Sequence, residues 1–508
     1  MSVVPPAPFA DLCSLCKDLS DLSAISGLLG WDEQVMMPSG ATSARARQKA
    51  AMAAVIHEKA TSKQLASAIA AAKQISSQLG PFESATVRDA DRNYEMAVGV
   101  PSELERKIAS KEVESVHAWV AAREKSDYQA FESHIREMLA LVKEKAVSMK
   151  PSAKTYDTMI DVFERGMTAE RLTEIFDSVA EPLKIVLDKV LDMKEKSTKK
   201  VHPALLGGDD WDVHKQAQLS KDICQVLGFD MDKGRIDVSV HPFTGGAGQD
   251  DVRITTRYSK ELPFEGIMGT IHETGHAMYE QGRNDKYAGL PVSDALSMGV
   301  HESQSLFWER MIGQNVNFWH AVLPKIHEKL PHTKQVSAED LFFAVNQVNR
   351  GFIRVDADEL TYPFHVILRF ELEKQLVDGT LDVKDLPSAW NEGMRKHLGV
   401  EVPNDKMGCL QDIHWPSGAF GYFPSYTLGA MTAAQLFQHL KTEVMPDVED
   451  KLRNGEFEGV REWLRSEIHE VGSLYPSLDD LLQKVTGEPL NAQYFLQYLE
   501  DKYTRMYA

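Results

Sequence analysis

Apolar residues recur at three- and four-residue spacing over most of this chain, the signature of helices that bury one face. From Phe9 to Gly30 the pattern predicts a first helix, brought to an end by Asp32 and the Met37-Pro38-Ser39-Gly40 turn. Thr42 to Gln78 is alanine-rich and punctuated by charges. Further helices are predicted from Ser102, with Glu105 completing a capping box, toward Lys125, and from Asp127 to Met149. Thr168 reads as an N-cap, with Met167 and Leu172 at staple positions. At Gly234 the period changes. Ile236, Val238 and Val240 alternate with polar neighbours, as do Val252, Ile254 and Thr256, and a period of two means strands. The glycine-rich Thr244 to Gln249 segment between them predicts an antiparallel hairpin. Helical spacing then resumes, from Pro263 to Gln281, from Ser297 to Glu309, through Trp319 and Leu341 to Asn349, from Phe352 to Leu376, and from about Tyr422 to Leu440. Ser477 and Asn491 read as N-caps of closing helices. The expected fold class is mainly α, with one small antiparallel β-sheet.

Composition narrows this picture. With 508 residues the chain exceeds the usual size of one hydrophobic core, yet no linker, repeat or low-complexity tract marks a boundary. We therefore expect a single domain over 1-508, built as two helical halves flanking a deep groove. A hydrophobic share of 43% supplies ample core material and excludes disorder. The formal net charge of −19 opposes binding to nucleic acid or an anionic membrane. Met1 to Ala10 lacks the basic and apolar regions of a leader, and no segment approaches about 20 uninterrupted apolar residues, so a cytoplasmic location is expected. Cys13 and Cys16 form C-x-x-C, but beside Leu12, Leu19 and Leu22 and without a second such pair they read as core packing, not a redox or zinc site.

The chemistry concentrates in the helix predicted from Pro263. Its His272-Glu273-Thr274-Gly275-His276 stretch is H-E-x-x-H, in which residues four apart face the same way and two imidazoles can hold one ion. Glu273 points elsewhere in the same cleft, where a general base is needed. Catalytic zinc usually takes three protein ligands. Candidates for the third lie where polar residues interrupt the next apolar helix face: Glu302 first, His301 second and Glu309 third.

His272-Glu273-x-x-His276 followed by His301-Glu302-Ser303-Gln304 resembles the thermostable carboxypeptidase Taq family of metallocarboxypeptidases. Further blocks in the same order carry the resemblance along the chain: His241-Pro242-Phe243, Asp251-x-Arg253-x-Thr255, Ile353-Arg354-x-x-Ala357-Asp358, and Gly408-x-x-Gln411-Asp412-x-His414-Trp415. Weaker ones are Trp31-Asp32, Met37-Pro38 and Gly487-Glu488. The resemblance implies that Glu302 completes a zinc site, cobalt being able to replace zinc. It also implies that His241 and Arg253 belong to the active site, that the first helices, about 1-80, form a lid over the groove, and that the chain is a homodimer.

The expected reaction is removal of single C-terminal amino acids from peptides by attack of metal-activated water, with Glu273 as general base. Arg354 would hold the free C-terminal carboxylate, with Asp358, four residues on, orienting it; the alternative is an ordinary intrahelical ion pair. His414 and Tyr422 around a glycine-rich turn are similar to the pair that stabilises the oxyanion in related zinc dipeptidases and oligopeptidases, and Tyr426 is the alternative tyrosine. An oligopeptidase cutting internally would have the same zinc site without the arginine anchor. A non-catalytic zinc-bearing scaffold would have lost Glu273, which is intact.

Overall fold

The computed structural model describes residues 6–239 and 241–508. Val240, the last position of the first predicted strand, and residues 1–5 of the predicted leaderless start lie outside the described residues. Helices dominate. They run in order as α1 Ala7–Val35, α2 Thr42–Ala60, α3 Lys63–Gln74, α4 Pro81–Gly99, α5 Ser102–Lys125, α6 Glu132–Met149, α7 Thr155–Phe163, α8 Ala169–Lys196 and α9 Val213–Leu227. After the strands come α10 Pro263–Gln281, α11 Met298–Leu306, α12 Val316–Lys329, α13 Ala338–Val345, α14 Tyr362–Asp378, α15 Leu386–Leu398, α16 Pro424–His439, α17 Val448–Arg453, α18 Glu458–Leu464, α19 Leu478–Thr486 and α20 Gln493–Tyr507.

Several local signals act as read. Thr168 accepts the Arg171 N–H and Ser477 the Asp480 N–H, each capping its helix. Asn491 caps one residue early, accepting from Gln493 N–H. Other signals are overridden. The first helix continues past Gly30 to Val35, with Asp32 inside it bonded to Arg45. Ser102 is the first helical residue of α5, not its cap, so it forms no capping box with Glu105. The Thr42 to Gln78 run breaks at Thr61, where Ser62 starts α3.

The sheet differs from the predicted hairpin. Its strands are β1 Gly234–Val238, β2 Thr244–Gly246 and β3 Val252–Thr256, in the order β1-β3-β2. β1 and β3 are parallel, with Ile236 opposite Ile254, and β2 is antiparallel to β3, with Thr244 opposite Ile254. The segment read as a loop thus supplies a strand of its own. It pairs with the far side of β3, so the chain crosses over and β1 and β3 run the same way. Val252 and Ile254 of β3 bury their side chains with Cys224 of α9 and Ala277 of α10, which fixes the sheet against the H-E-x-x-H helix.

One continuous hydrophobic cluster extends from Ala122 to Tyr507 and includes Ile267, Ile271, Val300, Phe307, Trp308 and Leu428. A second joins α1, α3 and α4 to Tyr287, Leu290 and Val292. Cys16 is buried in it and Cys13 packs against it; burial pushes their thiols up to about 12 and about 11, so both are inert packing residues. Trp31 of α1 is buried, with the guanidiniums of Arg253 and Arg235 over its ring at 4.5 and 5.1 Å, and this joins the N-terminal helices to the sheet.

Candidate metal centre and carboxylate pocket

Three helices meet at the H-E-x-x-H stretch, and two glycines let them approach. A Cβ on Gly275 of α10 would lie 2.5 Å from the Gln304 carbonyl oxygen of α11. A Cβ on Gly429 of α16 would lie 2.8 Å from Cγ of Glu302. Glu302 is therefore pressed between α10 and α16. Its Oε2 is 3.3 Å from His276 Nε2 and 3.8 Å from His272 Nε2. One donor atom from each of His272, His276 and Glu302 lies within 4.8 Å of the others, the span of a single ion's ligands.

The other two candidate ligands hold the rings from behind. Glu309, in the π-helical turn Phe307–Gly313 that continues α11, is 2.7 Å from His272 Nδ1. His301 Nδ1 is 2.6 Å from His276 Nδ1, and His301 Nε2 is 2.9 Å from Glu280, itself bonded to Arg283. Both imidazoles thus have one nitrogen fixed and Nε2 facing Glu302, the arrangement that sets tautomer and aim in metal sites. Burial opposes charge on His272, but Glu302 and Glu309 outweigh it and raise the imidazole to about 10, a measure of how negative the site is. Burial instead keeps His276 below the ordinary range. Glu273, 6% exposed, has Oε2 bonded at 2.6 Å by the hydroxyl of Thr244 on β2, so Oε1 is its uncommitted oxygen.

The second half of the site surrounds Arg354, which is not helical as expected. It lies in a short 3₁₀ turn, Arg354–Asp356, because Pro363 starts α14 only at Tyr362. Asp358 does not orient it: that carboxylate accepts the backbone N–H groups of Asn349, Leu360 and Thr361. The partner is Asp412, whose Oδ1 lies 3.0 Å from both Nε and Nη2 of Arg354. Nη1 donates to the Tyr362 hydroxyl, and the guanidinium lies 4.7 Å above the Tyr426 ring. Arg369, fully buried on α14, takes the other oxygen of Asp412 at 2.6 to 2.7 Å. Two buried guanidiniums therefore share one carboxylate. Asp412 is held far below the usual range: burial raises it, and Arg369 and Arg354 more than offset that. The role of Arg369 has no local signature in the sequence, and Asp412 was visible only as a motif member.

His414 joins this group. Its Nε2 is 3.1 Å from the Tyr426 hydroxyl and its Nδ1 is buried with no partner among the described residues. Burial and the nearby Arg354 charge lower it to about 3, so the ring is neutral at neutral pH. Tyr422 packs at 5.5 Å from the His414 ring and 5.3 Å from Tyr426. Glu373 fixes the intervening loop from below, accepting Trp415 Nε1–H at 2.7 Å, Gly421 N–H at 2.8 Å and the Tyr156 hydroxyl at 2.8 Å.

Two expected site residues are not gathered with either half. The His241 ring is exposed, and among the described residues only its backbone oxygen is engaged, by Ser239. Arg253 is committed to a two-pronged pair with Asp251 at 2.7 Å and to Trp31. Between α1 and β2, a cleft of about 320 Å³ is lined by Ser20, Ser23, Thr244, Gly245 and His301.

The family model for carboxypeptidase Taq (M32) metallopeptidase matches residues 11–503. The chain belongs to this family. It is 38% identical over 519 aligned positions to thermostable carboxypeptidase 1 of Thermus thermophilus, with 100% of both chains covered. Identity to thermostable carboxypeptidase 1 of Pyrococcus furiosus is 35%, with 94% of each chain covered. Among solved structures, that of Pyrococcus furiosus carboxypeptidase superposes with a TM-score of 0.94 at 34% identity, covering 99% of this chain and 100% of that one. Trypanosoma cruzi metallocarboxypeptidase 1 gives 0.93 at 35%, covering 98% and 99%. Membership makes the chain a metallopeptidase of the carboxypeptidase type, which works with a divalent metal on peptide substrates. Among the described residues no helix is long and apolar enough to cross a membrane.

Proposed function

We propose that this M32 carboxypeptidase removes one C-terminal residue at a time from peptides, using zinc, or cobalt in its place, held by His272, His276 and Glu302. The donor set fits such a metal: two imidazole nitrogens and one carboxylate oxygen, each imidazole braced at its other nitrogen, suit zinc or cobalt better than the all-oxygen preference of magnesium. When bound, the ion supplies a Lewis acid that activates water near neutral pH.

Glu273 acts as general base. Thr244 occupies its Oε2, so Oε1 takes the proton from the attacking water and returns it to the departing amine. Arg354 holds the terminal carboxylate, and this carries the assignment of single-residue cleavage. A guanidinium has five N–H donors. Those committed face Asp412 through Nε and Nη2 and Tyr362 through Nη1, which leaves one N–H on each Nη for a carboxylate. Because Arg369 shares Asp412, the pocket also keeps uncompensated positive charge. His414, neutral and beside Tyr426, and Tyr422 are the donors we assign to the oxyanion of the substrate. Of the two tyrosines, Tyr426 is already engaged with His414 and Arg354, which favours Tyr422 as the donor. His241 and Arg253 are retained as substrate-binding residues on the resemblance alone. The same basis supports a lid made by the helices of 1-80 and a homodimer, whereas a single catalytic domain over 1-508 is proposed because no linker or repeat divides the chain, and a cytoplasmic location because its composition is acidic and its cysteines are free.

The test is one blocked dipeptide offered as free acid and as amide to the metal-loaded enzyme, with and without chelator. We expect chelator-sensitive cleavage of the acid, and efficiency on the amide lower by about 30-fold or more, corresponding to loss of a charge-assisted contact of at least about 2 kcal/mol. Equal cleavage of both would refute the carboxylate anchor.

A further inference from the structure

Tyr362 stands where the two halves of the candidate site meet, yet the reaction above gives it no part beyond accepting an N–H from Arg354. It is the first residue of α14, and its ring is held by three neighbours. The Tyr426 ring meets it edge-on at 5.9 Å, and the guanidiniums of Arg310 and Arg354 lie 5.4 and 5.6 Å from its centre. Arg310 follows Glu309, the residue that braces His272, so the ring is steadied from the metal side as well as from the anchor side. Glu302 is also close enough for its charge to act on the phenol.

These contacts leave one proton uncommitted. A phenol donates one O–H and accepts through its oxygen lone pairs. Arg354 Nη1–H takes the accepting side, and among the described residues that is the hydroxyl's only hydrogen bond, so its own O–H has no acceptor. Burial raises the phenol above its ordinary range, Arg354 opposing and Glu302 adding to it, so the proton stays in place at neutral pH. Tyr362 keeps part of its surface exposed, whereas Arg354 is 5% exposed. The unmatched O–H therefore lies beside the two uncommitted N–H groups of Arg354. A carboxylate is the group that accepts from all of these donors at once, having two oxygens and no hydrogen of its own.

We propose that Tyr362 is a second contact for the terminal carboxylate of the peptide, its hydroxyl donating to the carboxylate while Arg354 binds it through its free N–H groups. This contact rests on the reading of Arg354 as the anchor, and it adds a residue that sets how strongly a free C-terminus is selected. A tyrosine that served only as an acceptor steadying Arg354 would respond in the opposite direction when its phenol is made more acidic.

Three metal-loaded proteins separate the two roles: wild type, Tyr362→Phe, and protein with 3-fluorotyrosine in place of Tyr362. Each is assayed for kcat/KM on the free-acid and amidated forms of one peptide at about pH 6, where the phenol is protonated. Tyr362→Phe keeps the ring and its packing, and thermal unfolding checks that the fold is retained. It should lose about tenfold or more on the acid, chiefly through KM, and about threefold or less on the amide, because a hydrogen bond to a charged group is the stronger one. The remaining preference for the acid is that of Arg354. Fluorination makes the phenol a better donor and a poorer acceptor, so it should raise efficiency on the acid relative to the amide by about twofold. Equal losses of Tyr362→Phe on both peptides, or no loss on the acid, would overturn the contact. A fluorotyrosine protein whose acid preference is at or below that of wild type would overturn it as well, since the hydroxyl would then serve Arg354 alone. If wild type prefers the acid and Tyr362→Phe is unchanged, only Tyr362 is rejected; if wild type cleaves acid and amide equally, the Arg354 anchor fails and this contact fails with it.

Discussion

The two halves of the candidate site are built on opposite principles. The metal half comes from neighbours in sequence: His272 and His276 are one helical turn apart, and Glu302 and Glu309 are two turns apart on the next helical run. The carboxylate half comes from partners far apart, with Arg354 and Arg369 meeting Asp412 over separations of 58 and 43 residues. Periodicity encodes the first almost completely. The second exists only after tertiary folding has brought a 3₁₀ turn, α14 and the Gln411–Trp415 loop together. It follows that substitutions in the metal half should act on chemistry with the fold intact, whereas those in the carboxylate half should perturb binding and stability together.

The largest expected effect tests the first side of that contrast. Glu273→Gln should lower kcat by about 10²- to 10⁴-fold while metal content, read by atomic absorption, stays at the wild-type level. Glu302→Gln should lose metal and activity together. A fully active Glu273→Gln protein would exclude Glu273 as the base. On the other side, Asp412→Asn leaves Arg354 and Arg369 buried without their shared anion, and should cost about 3 to 5 kcal/mol in denaturant unfolding as well as raising KM. Unchanged stability would mean that the two guanidiniums find other partners.

A smaller effect is expected at Glu309. Because it braces His272 rather than supplying a ligand, Glu309→Gln should weaken metal retention or activity by about 10- to 100-fold. A loss as complete as that of Glu302→Gln would make it a ligand after all. The smallest effect concerns pH. Burial raises Glu373 to about 7, despite the bonds from Trp415 and Gly421 that favour its charged form. The folded state therefore binds more protons than the unfolded one between the ordinary glutamate range and pH 7. Stability from this group is complete below about pH 4 and is lost as pH rises through 7, by about 2 kcal/mol between pH 5 and 7. Glu373→Gln should flatten that part of the stability curve, measured by urea unfolding at each pH.

What could be read from the sequence follows the same division. Pro263–Gln281 has the predicted bounds, because Pro263 and Gly282 punctuate it and nothing distant competes. The strands of 234–238 and 252–256 were legible by their period, but their pairing was not. Period two reports a pleated surface and is silent about the neighbour, and the three residues Thr244–Gly246, two of them glycine, read as a turn although they pair with β3. Asp358 misled through its spacing: four residues from Arg354 suggests a helical pair only if the segment is helical, and Pro363 had already marked a later helix start. Asp412, Arg369 and Thr244 could not be assigned roles locally, since each acts through a partner at least 29 residues away.

We propose that Arg354 converts a metal site common to many peptidases into one that reads a free C-terminus. The direct measurement is kcat/KM for wild type and Arg354→Ala, each on the free-acid and amidated forms of one peptide, with thermal unfolding checked in parallel. Wild type should strongly prefer the acid, the variant should lose about 2 to 5 kcal/mol on the acid and little on the amide, and the preference should disappear. Equal losses on both peptides would contradict it: Arg354 would then be structural, and the terminal carboxylate would need a different anchor.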